Sequence, residues 1–310
     1  MTGFATDIAR DGDTLSGPWR RPRQMLQHQS VSGTSSIHDD DTAQKLGFSG
    51  GTIEGPTHFS QFEPLAEALW GDEWRRTGCI SAHYRAPVFE GEAVRPIATL
   101  YAEQPDYASI RMEKENGTEV LTGSMSAGED PPQSALRARL AGLEPLSQPV
   151  LVADVAVGTT TSRRRVTMRR DTRMGDLYPF SLADKLAVIT EPNSRFEEEL
   201  PFEMISVLAN AKADVEPFAV RRPSVGLFAD QEIALRDGPL KVDETYEVER
   251  EVIARTSSRK TESLWVEYRI FPEGEAVADA TMLLNLASLK ASYPDYEADG
   301  RALYGEDFHG

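Results

Sequence analysis

Residues 37–70 read IHDDDTAQKLGFSGGTIEGPTHFSQFEPLAEALW, and this stretch decides the fold because it joins clustered ionisable side chains to a strong helix signal. Pro56 follows a glycine-rich turn and suits the first turn of a helix, where its missing N–H costs nothing. Apolar residues then recur at helical spacing, at Phe59, Phe62, Leu65, Ala66 and Leu69. Residues 55–69 are therefore predicted to form an amphipathic helix that a sheet can wrap, with Pro64 as a point of kinking.

Ionisable side chains surround the start of this predicted helix. His38 is followed by three consecutive aspartates that include Asp40, while Glu54 and His58 flank the first turn. These four residues are the candidate catalytic groups, with His38 and a carboxylate from Glu54 or Asp40 as the working pair. A metal site built from His38, Asp40 and His58 matches no strong spacing template, so neither a metal nor another cofactor is predicted.

The backbone at the start of the helix is a candidate binding site for a negatively charged oxygen. The N–H groups of the first turn lack partners within a helix, and they carry partial positive charge. We expect the N–H of Gly55 or Thr57 to bind substrate in this way. No Lys or Arg lies between Gly47 and Trp70, which favours a thioester oxygen over a carboxylate substrate.

These residues resemble the MaoC-like branch of the hotdog superfamily, the (R)-specific enoyl-CoA hydratases and dehydratases. The resemblance covers roughly residues 20–125. It rests on His38 with its acidic neighbours, the pair Gly47-Phe48, the glycine-rich turn and helix, and the later Pro-Val-x-x-Gly-Glu at residues 87–92. Family members carry an Asp five residues before the His and a His-Gly where the helix begins. This chain has Gly33 at the first position and Glu54-Gly55 at the second.

The resemblance implies a hydro-lyase that hydrates or dehydrates an acyl thioester by acid/base catalysis. Hydration needs one group to activate water, a second to deliver a proton to the α-carbon, and a donor for the thioester oxygen. Because the family Asp is replaced by Gly33, the second carboxylate has to come from elsewhere. Two alternatives stay open: a hotdog thioesterase in which a carboxylate activates water, and a catalytically inactive acyl-binding or scaffold protein.

The composition is that of an ordinary soluble globular protein. Its 310 residues carry 50 acidic and 33 basic side chains, a net charge of −17, which disfavours nucleic acid and anionic membrane surfaces as partners. No apolar run approaches a membrane span, and the N-terminal segment lacks the basic start and apolar block of a signal peptide. A cytoplasmic location is expected. Cys79 is the single cysteine, so no intramolecular disulfide is possible.

A local cluster of arginines interrupts this acidic background. Six arginines lie between residues 163 and 173. One interpretation is a strand with a solvated basic face. The other is contact with the phosphates of a coenzyme A moiety, which arginine suits through its bidentate geometry, with Arg164 and Arg169 as the candidate residues.

The order of elements predicts an α+β protein made of two hotdog units, each a long helix wrapped by a curved antiparallel sheet. After the first helix, strands alternate around residues 79–101, and Asn116-Gly117 marks a hairpin turn. Residues 131–149 contain several prolines and are predicted to link a unit at 1–130 to one at 150–310. Pro201 opens a second apolar helix and more strands follow. This second unit lacks a matching His and is predicted to be diverged and non-catalytic.

Further expectations concern the chain ends, the start of the second unit and the assembly. Residues 1 to about 18 show no period and are predicted to pack as an arm or stay mobile, and residues 291–310 to be peripheral. Residues 20–32 are predicted to form a strand and residues 150–171 a strand region. A hotdog unit exposes a sheet edge that normally pairs, so either a homodimer or a single-chain pseudo-dimer is expected.

Overall fold

A single antiparallel sheet organises the protein. The computed structural model describes residues 3–31, 34–45 and 47–309. Within them, eleven strands lie side by side in the order β1-β2-β6-β7-β8-β5-β10-β13-β12-β11-β9, while β3 and β4 pair separately. The strands are β1 Ala9–Asp11, β2 Thr14–Ser16, β3 Ser30–Val31, β4 Thr34–Ser35, β5 Cys79–Tyr84, β6 Val94–Tyr101, β7 Gln104–Lys114, β8 Glu119–Ser126, β9 Arg164–Thr167, β10 Gly226–Leu235, β11 Thr245–Ser257, β12 Thr261–Pro272 and β13 Ala280–Leu289.

Two apolar helical segments fill the core, one in each half of the chain. In the first half a 3-10 helix, Gly55–Gln61, runs into α2, and in the second half the core helix is α6. The α-helices are α1 Asp40–Lys45, α2 Glu63–Trp70, α3 Asp72–Thr77, α4 Ala135–Ala141, α5 Leu182–Leu186, α6 Phe202–Asn210 and α7 Tyr296–Tyr304, and shorter 3-10 turns lie at Ser194–Glu197, Lys290–Ser292 and Gly305–Asp307.

The first core helix occupies the predicted residues but is not one continuous α-helix. It changes from 3-10 to α geometry at Phe62, and Pro64 lies in the first turn of α2. Proline has no N–H to donate and clashes with the preceding turn of a helix, so it is tolerated where a new helix begins. The predicted kink is therefore a change of helix type. Four residues of the predicted apolar stripe, Phe59, Phe62, Leu65 and Ala66, have no exposed surface, while the fifth, Leu69, is half-buried.

The two core helices pack against each other. Beside them Trp74, from the following helix α3, stacks on Phe202 of α6 with ring centroids 4.6 Å apart. The carboxylate of Glu63 accepts a hydrogen bond from the backbone N–H of Phe202 at 2.9 Å, which satisfies a donor at the start of α6. Both helices belong to one hydrophobic cluster that includes apolar residues of every long strand. The two halves therefore share one core.

Within this sheet the strands of the first half of the chain join those of the second half edge to edge through β5 and β10. These strands pair antiparallel from Cys79 opposite Ala234 to His83 opposite Asp230. Each unit would otherwise expose an edge strand, and the pairing of β5 with β10 covers both edges. The predicted double hotdog architecture, with the sheets combined into one surface, is confirmed. Assembly of two chains stays a prediction.

The segment between the units covers this junction on the face of the sheet opposite the core helices. Leu136 of α4 packs on Trp265 and Leu283, which point away from the main core. Arg137 forms ion pairs with Glu232 at 2.8 Å and with Glu267 at 3.0 Å. The segment thus fastens β10 to β12. The limits 1–130, 131–149 and 150–310 stay predictions.

The structure defines the elements at the chain ends and corrects the predictions for residues 20–32 and for the start of the second unit. Residues 9–16 form the β1-β2 hairpin, which extends the sheet beyond β6. In the predicted strand at 20–32, the described residues 20–31 contribute one bridge at Arg20 and the short β3 rather than a full strand, and Ser32 lies outside the described residues. Within residues 150–171 only β9 is a strand, because the buried carboxylate of Glu262 accepts the N–H groups of three successive residues, 150–152. The tail forms α7, whose Tyr296 hydroxyl donates to the same carboxylate at 2.8 Å.

No helix among the described residues is long and apolar enough to span a bilayer.

Candidate active site

His38 lies in the turn before α1 and is half-buried. Its Nδ1 is 2.7 Å from the carbonyl oxygen of Thr52. A carbonyl oxygen only accepts, so Nδ1 carries the proton and Nε2 keeps its lone pair. Burial lowers the pKa of His38 below its ordinary value, against the opposing effects of the Glu54 charge and the Thr52 carbonyl. His38 is thus held as a neutral base in one tautomer.

Asp40 is committed to the backbone of the glycine-rich turn. Its Oδ1 accepts a hydrogen bond from the N–H of Gly51 at 2.7 Å, and its side chain is exposed. Gly51 is required here because a Cβ would lie 2.2 Å from the carbonyl oxygen of His38. Asp40 therefore fixes the turn that carries His38 and Thr52. Gly33, which stands where the family Asp is expected, lies outside the described residues.

Glu54 is buried at the entrance to the 3-10 helix, with 7 % of its surface exposed. Neither of its carboxylate oxygens has a hydrogen-bond partner among the described residues. The nearest cation is the Lys185 ammonium, 3.9 Å from Oε1. A buried carboxylate without hydrogen bonds is costly to keep, so Glu54 is available to a ligand or to water.

His58 and Thr57 line the same interior region. Burial, with the charges of Lys185 and Lys114, lowers the pKa of His58 to about 3, so His58 is neutral near pH 7. Its Nδ1 has no hydrogen-bond partner among the described residues. Thr57 donates its backbone N–H to the carbonyl oxygen of Glu54 at 3.1 Å. That N–H is therefore already paired, which corrects the expectation that it binds substrate.

Gly55 allows the start of the 3-10 helix to approach β5. A Cβ at this position would lie 2.5 Å from the ring of Tyr84, well inside normal contact. Its N–H is the first of the helix and stays the predicted donor to a substrate oxygen.

Two site residues come from the second unit, which the sequence interpretation treated as non-catalytic. Lys185 of α5 donates to the Thr57 hydroxyl at 2.8 Å, and its ammonium is 3.1 Å from the carboxylate of Glu203 on α6. Both side chains are buried. The local sequence does indicate that Lys185 is on the buried side of a helix. A Ser-x-x-Asp capping box opens α5, and Lys185 follows Leu182 by three residues, so both lie on the same side. Nothing local indicated that this side meets Thr57.

The candidate phosphate-binding arginines lie on or near the edge strand β9. Arg164 forms an ion pair with Glu216 at 3.1 Å, and the neighbouring Arg163 lies 3.6 Å above the ring of Phe271. Arg169 is exposed, with no ion pair among the described residues. Most of the arginine cluster is thus neutralised by nearby glutamates. The role of Arg164 and Arg169 in binding stays a prediction.

Two surface clefts lie away from these residues. One, of about 410 Å³, is bounded by α4 and the loop before it and includes Cys79 and Glu232. The other, of about 190 Å³, lies beside Trp70. Among the described residues that line them, neither cleft includes His38, Glu54 or Lys185. Neither cleft therefore lies at the start of the first core helix.

Fold and site together define a double hotdog with a buried acid–base cluster between its core helices. Solved structures share this architecture: a candidate MaoC domain dehydratase from Chloroflexus aurantiacus J-10-fl is 14% identical over 92% of this chain and 95% of its own, with a TM-score of 0.56. A conserved hypothetical protein of Mycobacterium tuberculosis, described as a double hotdog, is 11% identical over 92% and 96%, with a TM-score of 0.53.

The dehydratase domain from the CurJ module of curacin polyketide synthase is also similar, at 7% identity over 92% of this chain and 97% of its own, with a TM-score of 0.52. No family model and no curated protein matches the sequence. These similarities confirm the double hotdog fold that the MaoC-like resemblance implied.

Proposed function

We propose that the protein is a hydro-lyase that hydrates or dehydrates an acyl thioester, with His38 and Glu54 as the acid–base pair. The observation that carries the proposal is that a neutral His38, whose Nε2 keeps its lone pair, lies within electrostatic range of a buried Glu54 whose carboxylate oxygens have no hydrogen-bond partner among the described residues. Glu54 acts on the pKa of His38 through its charge, so the two groups belong to one electrostatic site. Dehydratases among the proteins of the same fold support this reaction class.

Each group has a defined task in this reaction. In the hydration direction His38 Nε2 accepts a proton from water as its oxygen bonds to the β-carbon of the enoyl group. The Glu54 carboxyl group delivers a proton to the α-carbon, and the N–H of Gly55 stabilises the negative charge that develops on the thioester oxygen. Dehydration reverses these transfers. The opposite assignment, with Glu54 as base and His38 as acid, requires a protonated imidazole, which the burial of His38 disfavours.

Coenzyme A is the proposed carrier of the acyl group. The arginines near β9 offer the cationic groups that bind phosphates, and Arg169 has no ion pair among the described residues.

A side-by-side assay tests the proposal. Crotonyl-CoA, 3-hydroxybutyryl-CoA and butyryl-CoA are incubated with the protein while enoyl absorbance and free thiol are followed. We expect enoyl absorbance to change without thiol release, and His38→Ala and Glu54→Gln to lower turnover by about a hundredfold or more. His28→Ala and Glu103→Gln, at exposed positions, are the matched controls. Thiol release would instead identify a thioesterase, and binding without reaction a scaffold.

A further inference from the structure

Lys185 connects the two halves of the protein at the proposed site. It belongs to α5 in the second half, and only 3 % of its surface is exposed. Its ammonium lies 3.1 Å from Glu203 and 3.9 Å from Glu54, and it donates to the Thr57 hydroxyl at 2.8 Å. One buried cation thus contacts the first core helix and the start of the second.

The environment keeps this lysine charged. Burial opposes the charged form, but the carboxylates of Glu203 and Glu54 outweigh it and raise the pKa of Lys185. A lysine that stays protonated at neutral pH is not a nucleophile, since nucleophilic lysines have lowered pKa values. Lys185 therefore acts through its positive charge and its hydrogen bonds.

The pKa of the buried Glu203 carboxyl group depends on the positive charge of Lys185. Burial raises the pKa of Glu203 to about 7, and Lys185 is the largest opposing influence. Glu203 is 2 % exposed, and neither of its oxygens has a well-directed hydrogen bond among the described residues, although the ion pair to Lys185 is short. The charge of Glu54 also raises the pKa of Glu203, so without the ammonium this repulsion would be left uncompensated by Lys185.

Other ionisable groups also act on this cluster. The site includes His38 from the turn before α1, His58 from the 3-10 helix and Glu63 from α2. The charge of Lys114 of β7 helps to lower the pKa of His58, and the charge of Glu54 adds to the effect of burial in raising the pKa of the Tyr178 hydroxyl. Lys114 already has a carboxylate partner, Glu92 at 2.6 Å. Lys185 is therefore the cation paired directly with Glu54 and Glu203.

We propose that Lys185 is a positioning residue of the active site that holds Glu54 and Glu203 in place and sets the pH range in which the site works. The inference rests on the proposed hydro-lyase function and adds a role for the second unit. Its hydrogen bond to Thr57 fixes the ammonium beside the first core helix, and its ion pair with Glu203 anchors it to the second. Proton exchange at Glu54 then takes place in the field of a fixed positive charge.

Kinetics across pH test this role. We compare native protein with Lys185→Met, Lys185→Arg and the control Lys212→Met, an exposed position, by kcat/KM from pH 5 to 9. Removal of a cation within about 4–6 Å raises the pKa of a carboxyl group by roughly one to three pH units. The midpoint of one limb of the Lys185→Met profile should therefore move upward by that amount, Lys185→Arg should restore the native midpoint, and the control should match native protein. A folded Lys185→Met with the native profile would overturn the proposal.

A second measurement does not depend on turnover. Protein labelled with ¹³C at glutamate side chains is titrated by NMR, and the Glu203 signal is identified by its loss in Glu203→Gln. In native protein this signal should titrate near pH 7, and in Lys185→Met at a higher pH. If Lys185→Met does not fold, Lys185→Gln replaces it. An unchanged Glu203 midpoint would refute the role of Lys185, whereas absent lyase activity with the expected midpoint shift would refute only the proposed reaction.

Discussion

His58 should make the protein lose stability in mild acid, and His58→Asn should remove that loss. Burial and two nearby lysines lower the folded-state pKa of His58 to about 3, while the ordinary value is 6.5. The unfolded chain therefore binds a proton that the folded protein excludes. The stability contributed by neutral His58 is fully present above pH 6.5 and is lost as pH falls toward about 3.

The size of the effect follows from the width of this pH window. One pH unit corresponds to about 1.4 kcal/mol for a single proton. His58 should therefore lower the free energy of unfolding by roughly 3 kcal/mol as the pH falls from 6.5 to 4.5. The substitution also changes packing, but that change is the same at every pH. The test is therefore how the difference in unfolding free energy between His58→Asn and native protein varies with pH.

Urea denaturation at several pH values between 7 and 4.5 measures this difference. As the pH falls, we expect the free energy of unfolding of native protein to decrease by roughly 3 kcal/mol relative to that of His58→Asn. Glu203→Gln is the opposite control: burial raises the pKa of Glu203 to about 7, so its contribution is present below pH 4.5 and lost as pH rises to about 7. Differences that do not change with pH for His58→Asn would refute the buried, neutral assignment.

Three further predictions address the core and the binding of coenzyme A. Phe62→Ala, at a position with no exposed surface, should lower the free energy of unfolding by about 3–5 kcal/mol in chemical denaturation. Gly55→Ala should cost roughly 1–3 kcal/mol in the same experiment, because the new Cβ would meet the Tyr84 ring at 2.5 Å, and an unchanged midpoint would contradict the close approach. Arg169→Ala should raise KM for an acyl-CoA but not for the matching acyl-pantetheine, with the exposed Arg259→Ala as control. If the KM of Arg169→Ala for the acyl-CoA equals that of native protein, Arg169 does not bind the substrate.

Local sequence rules predicted the parts of the fold that local physics determines. Pro56 opens the first core helix and Pro201 is the N-cap of the second, as their lack of an N–H favours. Asn116-Gly117 forms the turn between β7 and β8, with Gly117 at φ 81°, where glycine avoids strain. Burial of the apolar stripe around Phe59 follows from its helical spacing.

The site was only partly predictable because it is assembled over long sequence distances. His38 and Glu54 lie in one short stretch, so their pattern could be recognised. Lys185 is 128 residues from Thr57, and the two meet only because the two units share one core. Such a meeting leaves no period or spacing in the sequence.

A similar long-range contact explains the missing strand after the linker. Residues 150–152 are apolar and were expected in a strand, but their N–H groups bind the carboxylate of Glu262, more than a hundred residues later. Three donors held by one carboxylate are not available to a strand ladder. Tertiary contacts therefore override the local strand preference.

A site that contains His38 should transfer a proton at the α-carbon of an acyl thioester. The most direct measurement is hydration of crotonyl-CoA in D₂O, with the 3-hydroxybutyryl product analysed by mass spectrometry and NMR. We expect one deuterium at the α-carbon of the product and a rate about a hundredfold lower for His38→Ala. A native protein that consumes no enoyl thioester, or a His38→Ala variant that labels the product at the native rate, would contradict it.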